Sequence, residues 1–314
     1  TPKPSSAASD VYKRQVKDFI NNDSAFLPLQ KGATSVTVDI FNVFSEITIL
    51  TASRTLQGKE VRESLDKTFA KLYHDLDSGF TPINFVIPNL PLPNNFRRDR
   101  DQRLMSDFYL GIIKKRREGN TEGTEHDMIS ALMEQSYKNG RNINDREIAH
   151  MMIALLMAGQ HTSSATGSWA MLRLASRPEI IEELYEEQKR VYSDGTGGFA
   201  PLDYDIQKSS VPVLDAVIRE TLRLHPPIHS IMRKVKSDMV VPPTLAAPIS
   251  SKGSRDETYV IPKGHYVIAA PGVSQVDPKI WEDASRFDPH RWLGDKANVM
   301  NQTDDAQEDF GWGM

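Results

Sequence analysis

The sequence contains no cysteine. Its 314 residues therefore offer neither a disulfide nor a thiolate ligand for a metal ion. A membrane-spanning run is also absent, because the longest apolar stretch, residues 151–158, is much shorter than the ~20 residues that a helix needs to cross a bilayer. Excess positive charge is lacking as well: the net charge is −4, so the composition does not indicate nucleic-acid binding.

What remains is an ordinary globular composition with 39% hydrophobic residues, which is enough for one large domain or two small ones. The spacing of apolar residues predicts helices over residues 38–56, 61–77, 97–117, 128–137, 178–192 and 210–224. Partly alternating β-branched runs predict a small sheet from residues 229–241 and 259–270. We therefore expect a mainly α fold with a small β part.

The dominant pattern is one long helix. Apolar residues at positions 148, 151, 152, 155 and 156 fall on one side of a helix with 3.6 residues per turn. Asn144 followed by Glu147 is typical of a capping box at its start, and Pro178 predicts an end near Ser176. Such a helix is roughly 45 Å long, which is enough to cross a whole domain.

A polar stretch, Gly159 to Ser164, interrupts this apolar helix halfway along. Polar groups in a buried helix need an explanation, and two are open. The hydroxyl groups could bond back to the carbonyl oxygen four residues earlier. Alternatively, a small residue and a hydroxyl could face a cofactor or a substrate, over a locally widened turn.

The stretch from Ala158 to Ser164, AGQHTSS, resembles the oxygen-binding helix of the cytochrome P450 haem-thiolate monooxygenases. His161 directly before Thr162 resembles the sterol 14α-demethylase branch, and FTPINF at 80–85 and LHPPIHSIMR at 224–233 resemble its fungal members. The resemblance covers residues 16–314 and implies a cytochrome P450 fold that is incomplete at both ends. Residues 1–15 do not match, and we interpret them as a disordered end or a junction of unrelated sequence.

The resemblance implies that Thr162 and His161 are the catalytic residues. Cleavage of dioxygen at an iron centre needs protons, and a hydroxyl beside a titratable group can relay them. The small residues Ala158 and Gly159 would leave room for oxygen and sterol beside the helix, and the resemblance implies that both contact the cofactor.

The substrate and the haem are expected to contact further segments. Residues 79–95 form an apolar loop with four prolines; such loops pack on the surface, line the mouth of a pocket or touch a membrane interface. Arg233 is either an exposed strand cation or, by resemblance, the residue that binds a haem propionate. The resemblance also implies a substrate contact for seven residues: Phe80, Pro82, Phe85, Ala158, His229, Ser230 and Ile231.

A carboxylate and two arginines are predicted to form a structural network. Glu220 and Arg223 are three residues apart and share a helix face, although Glu187 and Arg190 have the same spacing and could be an ordinary surface pair. In the family that the chain resembles, a later arginine, here Arg291, inserts between such a pair. The network would hold the region that presents the iron ligand.

By resemblance, the function is a haem-dependent sterol 14α-demethylase of ergosterol biosynthesis, which oxidises the 14α-methyl group three times. Electrons would come from NADPH through a cytochrome reductase, and the protein would sit on the cytosolic face of the endoplasmic reticulum membrane. The family's iron ligand is a cysteine, which this chain lacks, so we expect the ligand beyond Met314 and no activity from this chain alone. The alternatives are a non-catalytic helical lipid- or sterol-binding protein and a monooxygenase that acts on another lipid.

Overall fold

The structure is a computed structural model that describes residues 4–64, 67–79, 81, 83–84, 87, 90–119, 127–200, 204–241 and 259–294. The chain divides into two compact units, Thr1–Pro212 and Val213–Met314. The first unit is helical, and its described helices are α1 (Pro4–Asn22), α2 (Leu27–Gln30), α3 (Ile40–Gln57), α4 (Lys59–Glu63), α5 (Lys67–Asp77), α6 (Pro93–Arg117), α7 (Met128–Met133), α8 (Asp145–Ala175), α9 (Pro178–Tyr192) and α10 (Tyr204–Ser210).

Helix α8 is the predicted long helix. Asn144 accepts the backbone N–H of Glu147 at 2.9 Å, and the Glu147 carboxylate accepts the backbone N–H of Asn144 at 3.0 Å, so the predicted capping box is confirmed. The helix ends at Ala175 with Ser176 as its C-cap, and Pro178 opens α9 in its first turn, where a missing N–H carries no cost. Its 31 residues correspond to about 46 Å.

The core of the first unit surrounds the N-terminal half of α8. Ile148, Met152 and Leu156 are fully buried, and their four-residue spacing places them on one stripe. Each such side chain contributes about 1.5–3 kcal/mol when it leaves water. Further along the helix, a Cβ atom at Gly167 would lie 2.5 Å from the ring of Phe44, so only glycine permits this close approach of α3 and α8.

Some helix boundaries differ from the sequence predictions. The predicted helix over residues 61–77 is divided, because α4 ends at Glu63 and α5 begins at Lys67. Helix α6 begins at Pro93, four residues before the predicted start, since proline is well tolerated in a first turn. Glu187 is buried, so its interpretation as half of a surface pair is wrong.

The N-terminal segment also differs from its prediction. Residues 4–15 belong to helix α1, where a disordered end or unrelated sequence was expected. The alanines at positions 7 and 8 favour a helix, and later side chains fix it: the hydroxyls of Tyr12 and Thr55 lie 2.8 Å apart, and the Lys13 ammonium donates to the carbonyl of Ala200 at 3.3 Å. The alternative that the segment is unrelated sequence stays a prediction.

The second unit begins with a helix and continues into short strands. Its described elements are α11 (Pro212–Leu224), β1 (Ile231–Lys234), β2 (Met239–Val241), β3 (Tyr259–Ile261), β4 (Tyr266–Ala269), α12 (Pro271–Ser274) and a 3₁₀ helix (Pro289–Trp292). Strand β1 pairs antiparallel with β4, and β2 with β3, so the predicted small sheet is two separate two-stranded sheets. The mainly α class with a small β part is confirmed. In the part of the chain that the structure describes, no helix is both long and apolar enough to cross a membrane.

Candidate functional site

The polar turn of α8 lies in an uninterrupted α-helix. The Thr162 hydroxyl donates to the carbonyl of Ala158 at 2.8 Å, and the Thr166 hydroxyl repeats this contact one turn later with the carbonyl of Thr162. The explanation by back-bonding therefore holds, and the described backbone has no widened turn. Thr162 is nevertheless exposed, and its oxygen keeps lone pairs that can accept a hydrogen bond.

His161 reaches across to helix α5. Its Nε2 atom lies 2.8 Å from Oδ1 of Asp77, and its ring stacks on Tyr73 with 6.3 Å between the ring centroids. The side chains of His161 and Asp77 are 46% and 35% exposed, so the pair remains in contact with solvent. Because neighbouring residues of a helix lie about 100° apart around its axis, His161 and Thr162 point in different directions.

A buried hydrogen bond between Tyr73 and Gln160 lies beside this pair. The Tyr73 hydroxyl donates to Oε1 of Gln160 at 2.9 Å, and both side chains are buried. Burial, and secondarily the charge of Asp77, raises the pKa of Tyr73, so its phenol is neutral at neutral pH. Tyr73, Asp77 and Gln160 were not among the site residues predicted from the sequence. The available signals were the four-residue spacing of Tyr73 and Asp77 and an amide inside an apolar helix.

Space is open beside the polar turn. Ala158 is exposed, and a Cβ atom at Gly159 would meet no atom within 4 Å. The expectation that a ligand occupies this space stays a prediction. Phe80, Pro82 and Phe85, the loop residues that were expected to line the substrate pocket, lie outside the described residues.

In the second unit, the carboxylate of Glu220 is fully buried and accepts five hydrogen bonds. Its Oε1 atom accepts from Arg223 Nη2 at 2.8 Å, Arg291 Nε at 3.1 Å and the backbone N–H of Asp288 at 2.9 Å. Its Oε2 atom accepts from Arg223 Nε at 2.8 Å and the indole N–H of Trp292 at 3.0 Å. The structure thus brings together the three residues of the predicted network and adds Asp288 and Trp292.

The two arginines extend the network to the backbone. Nη1 of Arg223 donates to the carbonyls of Gln275 and Ala284 at 2.7 Å each, and Nη1 of Arg291 donates to the carbonyl of Glu282 at 3.0 Å. A lysine could not make these parallel contacts, because it lacks the planar fork of a guanidinium. The network fastens helix α11 to segment 275–292, which ends with the 3₁₀ helix.

Around strand β1, Arg233 and His229 are exposed and Ile231 is half-buried. Nη1 of Arg233 donates to the carbonyl of Met232 at 3.0 Å, and the ring nitrogen Nδ1 of His229 lies 2.8 Å from the hydroxyl of Ser230. These residues belong to the second unit, whereas the polar turn of α8 belongs to the first. Because the Arg233 side chain is exposed, its guanidinium is accessible to an anionic group.

The Cytochrome P450 family model matches residues 24–314. The chain belongs to the cytochrome P450 family. It is 65% identical to the lanosterol 14-alpha demethylase of Mycosarcoma maydis, over 96% of this chain and 54% of that relative. It is 48% identical to the lanosterol 14-alpha demethylase erg11 of Schizosaccharomyces pombe, over 94% of this chain and 54% of the relative. The eburicol 14-alpha-demethylase of Uncinula necator is 47% identical, over 97% of this chain and 55% of that relative.

The chain spans about half the length of these curated relatives. Among solved structures, the retinoic acid bound cyanobacterial CYP120A1 is similar with a TM-score of 0.70, covering 92% of this chain and 59% of that one. Its sequence identity is 22%, so this likeness shows the cytochrome P450 fold and nothing about the ligand.

Membership of this family implies a haem, and the residues of this chain fit it only in part. An accessible guanidinium at Arg233 suits a carboxylate. No cysteine is present in the 314 residues, however, and the described residues contain no group of three His, Cys, Asp or Glu side chains that could hold a metal ion. These 314 residues therefore do not contain the cysteine that the resemblance implies as the iron ligand.

Proposed function

We propose that this chain is part of a sterol 14α-demethylase, which removes the 14α-methyl group of a sterol in three successive oxidations and releases it as formate. The observation that carries the proposal is the 65% identity to a lanosterol 14-alpha demethylase along 96% of the chain. The relatives at 47% and 48% identity carry the same activity in their names.

The haem, when bound, supplies the activation of dioxygen. In this proposal its cysteine ligand comes from a part of the protein that these 314 residues do not include. Arg233 pairs with a haem propionate, because its guanidinium is accessible and offers two parallel N–H donors to a carboxylate. The Glu220 network keeps segment 275–292 in place.

In this proposal, residues of α5 and α8 take part in proton transfer. Asp77 is in contact with solvent, and its 2.8 Å contact to His161 allows the imidazole to take up and release a proton at Nε2. Thr162 presents a hydroxyl on another side of the same turn, where it donates to Ala158 and can rotate to donate elsewhere. Since the side chains of His161 and Thr162 diverge, the relay between them needs a water molecule or the substrate as a link.

The sterol lies beside the open polar turn. Gly159 and Ala158 leave space there, and a flat, apolar ligand fits against a helix whose neighbouring positions are small. We assign the remaining substrate contacts to Phe80, Pro82, Phe85, His229, Ser230 and Ile231. Electrons come from NADPH through a reductase at the cytosolic face of the endoplasmic reticulum membrane.

A second candidate function is sterol binding without catalysis. The observation that favours it is the absence of cysteine, since a helical domain with an apolar pocket can bind a lipid without iron. The two are distinguished by incubating the complete protein with a cytochrome reductase, NADPH and lanosterol or eburicol. A demethylase releases formate and a 14α-demethylated sterol, whereas a binding protein retains the sterol unchanged.

A further inference from the structure

Four side chains join helices α5 and α8 at the polar turn. Tyr73 and Asp77 are four residues apart on α5, and they meet Gln160 and His161, which are consecutive on α8. The Tyr73 hydroxyl donates to the amide oxygen of Gln160, the Tyr73 ring stacks on His161, and Nε2 of His161 contacts Asp77. The Tyr73–Gln160 hydrogen bond is buried, whereas the His161 imidazole, which makes the other two contacts, is partly open to solvent.

We infer that Tyr73 and Gln160 are positioning residues that hold the imidazole of His161 toward Asp77. The exposed pair alone would leave the imidazole free to rotate, because an exposed hydrogen bond competes with water. The Tyr73 ring limits that freedom, because it stacks on the imidazole with 6.3 Å between the ring centroids. The ring is itself fixed at its far end by the buried 2.9 Å bond to Gln160.

The chemistry of the buried bond suits this role. The phenol must stay protonated to donate. Burial and, secondarily, the nearby Asp77 carboxylate raise the pKa of Tyr73, which keeps the phenol protonated. Asp77 is the described carboxylate within hydrogen-bond distance of His161, while Asp75 on the same helix lies 3.9 Å from the guanidinium of Arg100. Only the expected effect on turnover rests on the proposed demethylase function; the positioning of His161 does not.

The test observes the imidazole directly. The 314-residue chain is labelled with ¹⁵N-histidine, the His161 signals are assigned with His161→Gln, and solvent exchange of the Nε2 proton is measured by NMR. The test variants are Tyr73→Phe, which removes the hydroxyl, and Tyr73→Phe combined with Gln160→Leu. The combination leaves no buried amide without a partner, so the fold is retained even if the single variant is unstable.

The chain offers a matched control in Tyr109. Its buried hydroxyl donates to Oε1 of Gln57 at 2.7 Å, which is the same chemistry between α6 and α3. Tyr109→Phe therefore removes an equivalent bond that does not contact His161. A general loss of stability would affect His161 in both phenylalanine variants, whereas positioning affects it only when residue 73 is changed.

We expect solvent exchange of the His161 Nε2 proton to accelerate about fivefold or more in both Tyr73 variants and to stay unchanged in Tyr109→Phe. Unchanged exchange in the double variant would overturn the inference, as would equal acceleration in Tyr109→Phe. In the complete enzyme, Tyr73→Phe is expected to lower the sterol product formed per NADPH. If the parent enzyme demethylates no sterol, the proposed function fails, while the NMR result still decides the role of Tyr73 and Gln160.

Discussion

Arg223 and Glu220 form a fully buried pair with 2.8 Å between Nη2 and Oε1, whereas Arg219 and Asp215, on the same helix, form a 2.7 Å pair that is open to solvent. The two pairs have the same chemistry and opposite surroundings. The buried carboxylate is enclosed by five donors, and the exposed one shares its oxygens with water. Comparing the two pairs therefore separates the effect of burial on stability from the effect of ion pairing.

Glu220→Ala is expected to destabilise the second unit by about 3–5 kcal/mol, because it leaves the Arg223 and Arg291 guanidinium groups buried without their carboxylate. Asp215→Ala, the control on the same helix, is expected to cost less than about 1 kcal/mol. Denaturant unfolding of the complete protein measures both values. Equal losses in the two variants would show that the Glu220 network does not stabilise the fold.

Thr162→Ala in the complete protein should lower the amount of demethylated sterol formed per NADPH consumed, because the hydroxyl would no longer be available for proton delivery. Thr166→Ala is the matched control, since it removes the same 2.8 Å bond to the carbonyl four residues earlier. We expect Thr166→Ala to leave the ratio of product to NADPH unchanged. The relay hypothesis is wrong if Thr162→Ala retains the parent's ratio.

Gly159→Ala should stabilise the chain and weaken sterol binding. The added methyl group meets no atom within 4 Å in the structure, and alanine is better than glycine in a helix by about 1 kcal/mol. In the complete protein, however, that methyl group would occupy space that we assign to the ligand. Gly111→Ala in α6 is also free of contacts, so it should give the same gain without any change in sterol titration. Equal sterol affinity in the two variants would place the sterol elsewhere.

Stability should fall in alkaline solution because burial raises the pKa of Tyr73 and of Tyr109. The folded chain therefore keeps protons that the unfolded chain loses above pH ~10. The unfolded state then binds fewer protons, and the free energy of unfolding decreases with pH by at most about 1.4 kcal/mol per unit for each phenol. Urea unfolding between pH ~9 and ~11 should show this slope.

Replacing both tyrosines by phenylalanine should flatten this alkaline slope, whereas Tyr185→Phe, at an exposed position, should not. A slope that survives the double replacement would assign the alkaline loss of stability to other groups.

The helix boundaries that the sequence predicted correctly depend on local chemistry. Asn144 and Glu147 cap α8, and Pro178 opens α9 in its first turn. Each signal lies within a few residues of the boundary that it marks. The start of α6 was missed because Pro93 follows three other prolines, and a sequence of prolines favours a loop.

The contacts of the candidate site could be predicted only in part, because they join distant positions. Tyr73 and Gln160 are 87 residues apart, and His161 and Asp77 are 84 apart, so no local pattern joins them. The spacing of residues alone also does not show whether a side chain is buried. Glu187 and Glu220 both precede an arginine by three residues, and both carboxylates proved to be buried, although only one was expected to be.

The most direct measurement compares the 314-residue chain with the complete protein after each is given haemin, reduced and exposed to carbon monoxide. A thiolate ligand donates electron density to iron and gives a characteristic Soret band, which no other side chain reproduces. We predict that the complete protein shows the thiolate-type band and demethylates sterol with reductase and NADPH, and that the cysteine-free chain does neither. A thiolate-type band or sterol demethylation from the 314-residue chain would contradict the claim that the iron ligand lies outside this sequence.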